Sequence, residues 1–246
     1  MKKIIAAFLL SLAPVLALAS EGGVHLDKAD IDLHDKDSLR NGARLFVNYC
    51  LSCHSAAYMR YNRMGKDLGL TDAQVKKNLM FAAEKVGETM TVAMPAKEAK
   101  AWFGTKVPDL TVVARARGAD WLYSYLRGFY LDDSRPWGVN NTVFKDVGMP
   151  DVLWELEGLK KPIYKISKDE EGNDVKHIVG FEQVMPGKLS KAEYDNAIRD
   201  LVTFLVYMGE PAKLTRYTIG LWVLLYLALL FVVAYALKKE YWKDVH

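Results

Sequence analysis

Two long apolar runs bracket this chain, and between them polar and apolar positions alternate first at helical, then at strand, then again at helical spacing. Lys2 and Lys3 precede the first run, Ile4 to Leu18, which closes on Ala17-Leu18-Ala19. A charged start, a short apolar stretch and a small-residue end have the form of a cleavable export signal, residues 1–19, with the mature chain beginning at Ser20. The second run, Tyr217 to Leu237, carries no charge over 21 positions. At 1.5 Å per residue a helix of that length reaches roughly 31 Å, the thickness of a bilayer core. It is apolar on all sides, as an anchor is, and Tyr217, Trp222, Tyr235, Tyr241 and Trp242 lie near its two ends as interface residues. Lysines flank it on both sides, so the export signal sets the orientation. Residues 20–212 are expected on the periplasmic side of the inner membrane, the span over 213–238, and the tail 239–246 in the cytoplasm.

Inside the exported part, Asp37 or Ser38 can cap a helix that places Leu39, Ala43, Phe46 and Cys50 on one face. Ser190-Lys191-Ala192-Glu193 has the form of a capping box. It opens a second helix, on which Tyr194, Ala197, Ile198, Leu201, Phe204, Leu205 and Met208 recur until Gly209-Glu210-Pro211 stops it. Gly42 and Phe46 would let the two helices cross closely. Ile163 to Ser167 and Val175 to Phe181 flank an acidic, glycine-containing turn and predict a small hairpin. No repeat or low-complexity linker divides these residues, and about 190 of them suffice for one core. The expected fold is mainly α, one domain with long loops and a small hairpin, plus one C-terminal transmembrane helix.

Charge narrows the partners. The whole chain is +3, but residues 20–212 hold 26 Lys and Arg against 28 Asp and Glu, a balance of −2. The signal and the membrane flanks supply the excess, so nucleic-acid binding has no electrostatic support and is not expected. The opening from Glu21 to Asp37 has six acids against Lys28 and Lys36, and Asp132-Asp133 and Asp169-Glu170-Glu171 form further clusters. Such runs are ordinarily solvated surface; here they could also steer a basic soluble partner, with an association that weakens in salt.

The chain's only two cysteines fall in Cys50-Leu51-Ser52-Cys53-His54. C-x-x-C-H is the spacing at which two thiols capture the vinyl groups of one haem while the next residue binds its iron. A zinc site would want about four ligands, and His25, His34, His177 and His246 show no paired spacing. A redox dithiol would not need His54 and belongs in a βαβ pattern absent here. One covalently bound haem c is therefore expected on Cys50, Cys53 and His54.

The second iron ligand decides the function, because a haem held by His54 alone would bind oxygen or peroxide, whereas a second protein ligand favours electron transfer. Of eight methionines after Met1, Met59 and Met64 lie too near His54 to reach the opposite face, and Met80 and Met208 sit in helical patterns. Met90, Met94, Met149 and Met185 remain, the last three each preceding proline, which holds a loop extended. Spacing does not choose among them, and a bis-histidine site through His177 stays open.

An N-terminal and a C-terminal helix crossing beside C-x-x-C-H resembles the class I cytochrome c fold. The order of features across the mature chain resembles, more specifically, the cytochrome c1 family of the quinol:cytochrome c reductase, the cytochrome bc1 complex. The features are the haem motif, Val107-Pro108-Asp109-Leu110, Arg115-Ala116-Arg117-Gly118, Gly148-Met149-Pro150, Gly209-Glu210-Pro211, and one C-terminal span ending Leu237-Lys238-Lys239 with Trp242 beyond. The resemblance implies Met149 as the axial methionine, with His54 the other metal ligand, Arg117 as partner of a haem propionate and Pro108 packed against the haem. The Arg-x-Arg loop is one residue short of the family's, which puts Trp121 where a tyrosine is usual. Arginine suits that role independently, since a buried haem carboxylate needs a cation and the planar guanidinium can meet both its oxygens.

The resemblance implies an anchored cytochrome in a complex with cytochrome b, taking single electrons from the Rieske iron–sulfur protein and passing them to a soluble or anchored cytochrome c. No nucleophile triad, phosphate loop or paired-carboxylate motif points to a catalytic site of its own. The alternatives are a cytochrome c subunit of a terminal oxidase, a free-standing anchored shuttle, and a five-coordinate haem sensor or peroxidase.

Overall fold

The computed structural model describes residues 25–92, 94–168 and 172–244. The export signal and its boundary at Ser20, the acids Asp169 to Glu171 and the last two residues of the tail lie outside the described residues. In chain order the first half forms α1 (Lys36–Leu45), β1 (Ala56–Arg60), α2 (Tyr61–Leu68), α3 (Asp72–Asn78), β2 (Thr89–Met90), α4 (Ala96–Phe103) and α5 (Val113–Arg117). There follow α6 (Ala119–Leu126), β3 (Phe129–Leu131), β4 (Val139–Asn141), α7 (Trp154–Glu157), β5 (Gly158–Lys168), β6 (Asp174–Pro186), α8 (Lys191–Gly209) and α9 (Lys213–Tyr241). Helices dominate, and the strands form three separate antiparallel pairs, β1–β2, β3–β4 and β5–β6. The mainly α architecture with one long C-terminal helix is the one expected.

The α1–α8 crossing organises the domain. Asp35 caps α1 by accepting from the backbone N–H groups of Asp37 and Ser38, so the cap lies two or three residues ahead of the two expected there, Asp37 and Ser38. The shift frees Ser38, whose hydroxyl donates to Asp200 Oδ1 on α8 at 2.6 Å, while Asp37 sits in the first turn where the helix dipole favours an acid. The Ser190–Glu193 capping box is present and opens α8. A Cβ on Gly42 would overlap the carbonyl of Asp200 and approach Phe204 Cβ to 2.7 Å, so only glycine allows this separation. The close approach lets Phe46 and Phe204 meet with ring centroids 5.6 Å apart, both fully buried along with Ala43 and Leu201. Full burial of one such ring contributes about 1.5–3 kcal/mol. α5 and α6 pack on the same helix α8, closing a three-sided frame around the end of α1.

α1 does not run to Cys50 as a plain α-helix. Its last turn, Phe46–Cys50, widens into a π-turn in which the Leu51 N–H reaches the Phe46 carbonyl at 3.0 Å. A π-turn inserts one residue without breaking the helix. Periodicity could not reveal it, because Phe46 and Cys50 stay on the buried face either way.

The hairpin is longer than the five and seven residues expected, pairing Gly158 with Pro186 at its base and Lys168 with Asp174 near its tip. Lys160, Lys161, Pro162, Glu182 and Pro186 interrupt the alternation that marks a strand, but a two-stranded ribbon has a free edge on each strand and tolerates them. Its root is tied to the domain by Lys160, which donates to the Arg127 carbonyl at 2.7 Å and to Glu157, and by Phe181 against Tyr130 at 6.1 Å. α9 leaves the domain directly after α8 and has no buried residue.

Candidate metal centre

One cavity of about 390 Å³ lies inside the frame of α1, α5, α6 and α8, and all six residues singled out in the sequence line it: Cys50, Cys53, His54, Pro108, Arg117 and Met149. They come from four separate segments spanning a hundred residues. Aliphatic and aromatic side chains such as Leu122, Leu201 and Leu205 supply much of the remaining wall, as a flat apolar ring system requires. None of the other methionines among the described residues, Met94 included, lines the cavity. Met59, Met64, Met90 and Met208 are buried in the main core, and Met185 pairs with Leu159 at the hairpin base. Met80, expected in a helix, is buried in the turn after α3. His177 sits on β6 opposite Lys165.

The π-turn ends where the motif begins. The carbonyl of Cys50 accepts from the N–H groups of Cys53 at 3.1 Å and His54 at 2.8 Å, a single tight turn that presents both thiols and the imidazole to the same cavity. Neither cysteine is in a disulfide. Burial pushes the Cys50 thiol up to about 12, so it stays protonated at neutral pH and is a weak free nucleophile there.

His54 is oriented from behind. Its Nδ1 lies 2.8 Å from the Pro108 carbonyl, and a proton on Nδ1 donated to that oxygen leaves Nε2 as the lone-pair nitrogen facing a metal. Burial lowers the imidazole pKa, which keeps the ring neutral as a ligand must be. Pro108 is placed in turn by its neighbour. Asp109 accepts from the Ala57 N–H at 2.8 Å and from the Thr111 N–H and hydroxyl, and the Leu110 N–H donates to the Ser55 carbonyl at 2.8 Å. The Pro-Asp-Leu segment is thereby stitched to the chain just after His54. Sequence reading gave Pro108 a packing role against the haem; its carbonyl's part in fixing His54 was not legible, because a backbone acceptor leaves no side-chain signal.

The two arginines of Arg-x-Arg separate. Arg115 pairs with Glu210 at 3.3 Å, and Glu210 also pairs with Arg216 at 2.9 Å, tying α5 to the start of α9. Arg117, which lines the cavity, makes no ion pair among the described residues; its guanidinium lies over Trp121 at 5.0 Å and Phe144 at 6.0 Å. Trp121 stacks on Tyr125 at 4.8 Å with planes 10° apart, and the Tyr125 hydroxyl donates to Met149 Sδ at 3.4 Å. Tyr125 was missed in the sequence, although its i, i+4 spacing from Trp121 on a helix was there to be read. Burial raises its phenol above the usual range.

The sequence profile of the Cytochrome C1 family matches residues 27–91 and 83–245. The chain belongs to the cytochrome c1 family. It is 51% identical over the full length of both proteins to a cytochrome c1 of Allochromatium vinosum. It is 46% identical to a protein named ammonia monooxygenase gamma subunit of Nitrosomonas europaea, covering 96% of this chain and 95% of that one. At 24% identity it also matches a "cytochrome b/c1" of Bradyrhizobium diazoefficiens, over 86% of this chain and 34% of the relative. Members of the cytochrome c1 family carry a covalently bound c-type haem with iron, and the residues lining the cavity fit it: two unpaired thiols, a neutral imidazole, a thioether and an arginine with no carboxylate of its own. α9, whose most apolar 18-residue stretch has a mean hydropathy of 2.5 and is not buried, makes this electron-transfer protein, as a member of that family, a single-pass protein of the inner membrane.

Proposed function

We propose that this chain is the haem subunit of a cytochrome bc1 complex, taking single electrons from a Rieske iron–sulfur protein and passing them to a cytochrome c acceptor. The convergence of Cys50, Cys53, His54 and Met149 on one cavity carries this reading, since a site with both an imidazole and a thioether is built to close the iron and not to open it. The name of the Bradyrhizobium relative, which joins b to c1, supports cytochrome b as neighbour.

Bound haem c supplies a one-electron iron couple. The rest falls to the chain. Cys50 and Cys53 hold the macrocycle through thioethers, and His54 presents Nε2 while the Pro108 carbonyl fixes its tautomer. Met149 presents a soft thioether that favours the ferrous state relative to a second histidine and so raises the potential. Arg117 meets a propionate, offsetting the cost of burying that charge. In this reading residues 20–212 form the periplasmic domain, 213–238 the anchor and 239–246 the cytoplasmic tail, so the site is held close to the membrane where quinol is oxidised.

The Nitrosomonas relative's name points to a different assembly, in which the same electron-relaying site would serve an oxygenase. Isolation in a gentle detergent separates the two. Copurification with a dihaem cytochrome b and a two-iron cluster, with quinol reducing the c-type haem, is expected. Copurification with a copper or haem oxidase or an oxygenase, and no quinol-driven reduction, would overturn the proposal.

A further inference from the structure

We infer that Glu210 is a latch that fixes the haem domain at one angle to the membrane anchor, and so fixes the haem relative to the membrane. The inference rests on the reading of the chain as an anchored electron relay and adds a positioning residue to it, one that acts on the site from the joint below.

That joint is short and otherwise bare. Only Glu210, Pro211 and Ala212 separate α8 from α9. Glu210 leaves the helix at φ −158° and ψ 76°, and the proline after it cannot continue α8. Beyond this point α9 buries nothing, and among the described residues no side-chain hydrogen bond or ion pair except the one to Glu210 joins it to the rest of the chain. A helix that leaves a domain through three residues swings about them unless something holds it.

The Glu210 carboxylate divides its two oxygens between the two bodies. Oε2 lies 3.3 Å from Arg115 Nη1 on α5, and Oε1 lies 2.9 Å from Arg216 Nη1 in the first turn of α9. Both arginines are more than half exposed, so either pair alone would be screened and weak. Sharing one largely buried carboxylate makes the pairs interdependent, since freeing either arm leaves that charge short of a partner. Each arginine is also held in place. A Cβ on Gly209 would come within 3.3 Å of Arg115 Cγ, so Arg115 crosses the end of α8 where no side chain stands. The Arg216 guanidinium lies over Tyr217 at 5.2 Å, a ring at the start of the span.

α5 connects this latch to the haem. Its five residues carry both Arg115 and, two positions on, Arg117, the proposed propionate partner. Just before it, the Thr111 hydroxyl donates to Asp109, the neighbour of the Pro108 whose carbonyl fixes His54. One continuous line of bonded groups therefore runs from the haem site through Glu210 to the anchor.

Glu210→Gln tests this, because it keeps the shape and removes the charge that both arginines share. Low-spin ferric haem has a directional electron paramagnetic resonance signal, so stacked, oriented membranes bearing the full-length holoprotein in its complex report the tilt of the haem. The unaltered protein should show one angle with a narrow spread. In Glu210→Gln the spread should widen about twofold or more as the joint loosens. Quinol-driven haem reduction should slow about tenfold through misplacement. The haem spectrum and the melting temperature should hardly move. Arg115→Gln and Arg216→Gln should each reproduce most of the effect, adding little when combined with Glu210→Gln, and they serve if that variant is poorly recovered. Glu240→Gln, which breaks the pair with Lys243 at the far end of α9, should change nothing. A residue that merely stabilises the fold would lower the melting temperature and leave the angle alone. An unchanged angle and spread in Glu210→Gln and in both arginine variants would overturn the inference, and the relay reading stands if quinol still reduces the haem. No quinol-driven reduction in the unaltered protein, with the spread widened in the variants, would overturn that reading and leave the latch.

Discussion

A Cβ added to Gly42 would overlap the Asp200 carbonyl, whereas one added to Gly180 would meet only Ile163 Cδ1 at 3.9 Å. These two glycines stand for two kinds of structure in one domain. At the α1–α8 crossing each group is constrained by residues far away in sequence: Ser38 and Asn41 by Asp200, Phe46 by Phe204, His54 by Pro108. In the β5–β6 hairpin, most constraints come from the strand alongside, and Ile166 and Val179 remain more than half exposed. The crossing has no room for a side chain at Gly42. The hairpin needs only its register and its root, and its outer surface is free to vary.

The largest contrast comes from the thiols. Cys50→Ala with Cys53→Ala should abolish haem that survives denaturing electrophoresis, while the hairpin's many exposed positions should have no influence on attachment. Haem staining of a denaturing gel reads it directly. A smaller effect is expected at the crossing. Gly42→Val must push α8 away and should cost about 3 kcal/mol or more, seen as a lowered melting temperature with much of the protein unfolded at 37 °C.

The hairpin root should respond to pH. Burial pushes the Glu157 carboxyl up to about 7, against 4.5 in its ordinary state, although Lys160 pulls it the other way. A carboxyl whose pKa is higher when folded holds its proton more tightly there. Stability conferred by that protonated form is fully present below the unfolded value and is lost as pH rises from 4.5 through about 7. Glu157→Gln should flatten this slope by on the order of 1 kcal/mol, measured by denaturant unfolding across that range. The smallest effect is expected farther out. Ile166→Ser, at a side chain 59% exposed, should change stability by under about 0.5 kcal/mol and leave the haem spectrum unaltered.

The same contrast explains what could be read in the sequence. Both crossing helices and the glycine at their contact were legible because burial imposes a 3.6-residue period and caps mark the ends. The cavity's chemistry was legible where it resides in side chains of fixed spacing, as in Cys50, Cys53 and His54. Naming Met149 among four methionines as the proposed second ligand needed family resemblance, since a ligand supplied from across the fold would have no spacing to the motif. What stayed hidden was carried by the backbone or by long-range contact: the π-turn before Cys50, the Pro108 carbonyl behind His54, and the hydrogen bond from Tyr125. The hairpin was placed correctly but cut short, because charged residues and prolines on an exposed ribbon erase the alternation that burial would have enforced.

The central claim is that the iron is closed on both faces, by His54 and by Met149, so that the protein relays electrons and does not bind small ligands. Carbon monoxide added to the reduced holoprotein at neutral pH tests it most directly, with Met149→Leu run in parallel as a substitution that preserves apolar bulk. The account predicts a low-spin spectrum indifferent to carbon monoxide in the unaltered protein, and in Met149→Leu a carbon monoxide adduct together with loss of the long-wavelength ferric band. Carbon monoxide binding to the unaltered protein, or a band that survives in Met149→Leu, would contradict it.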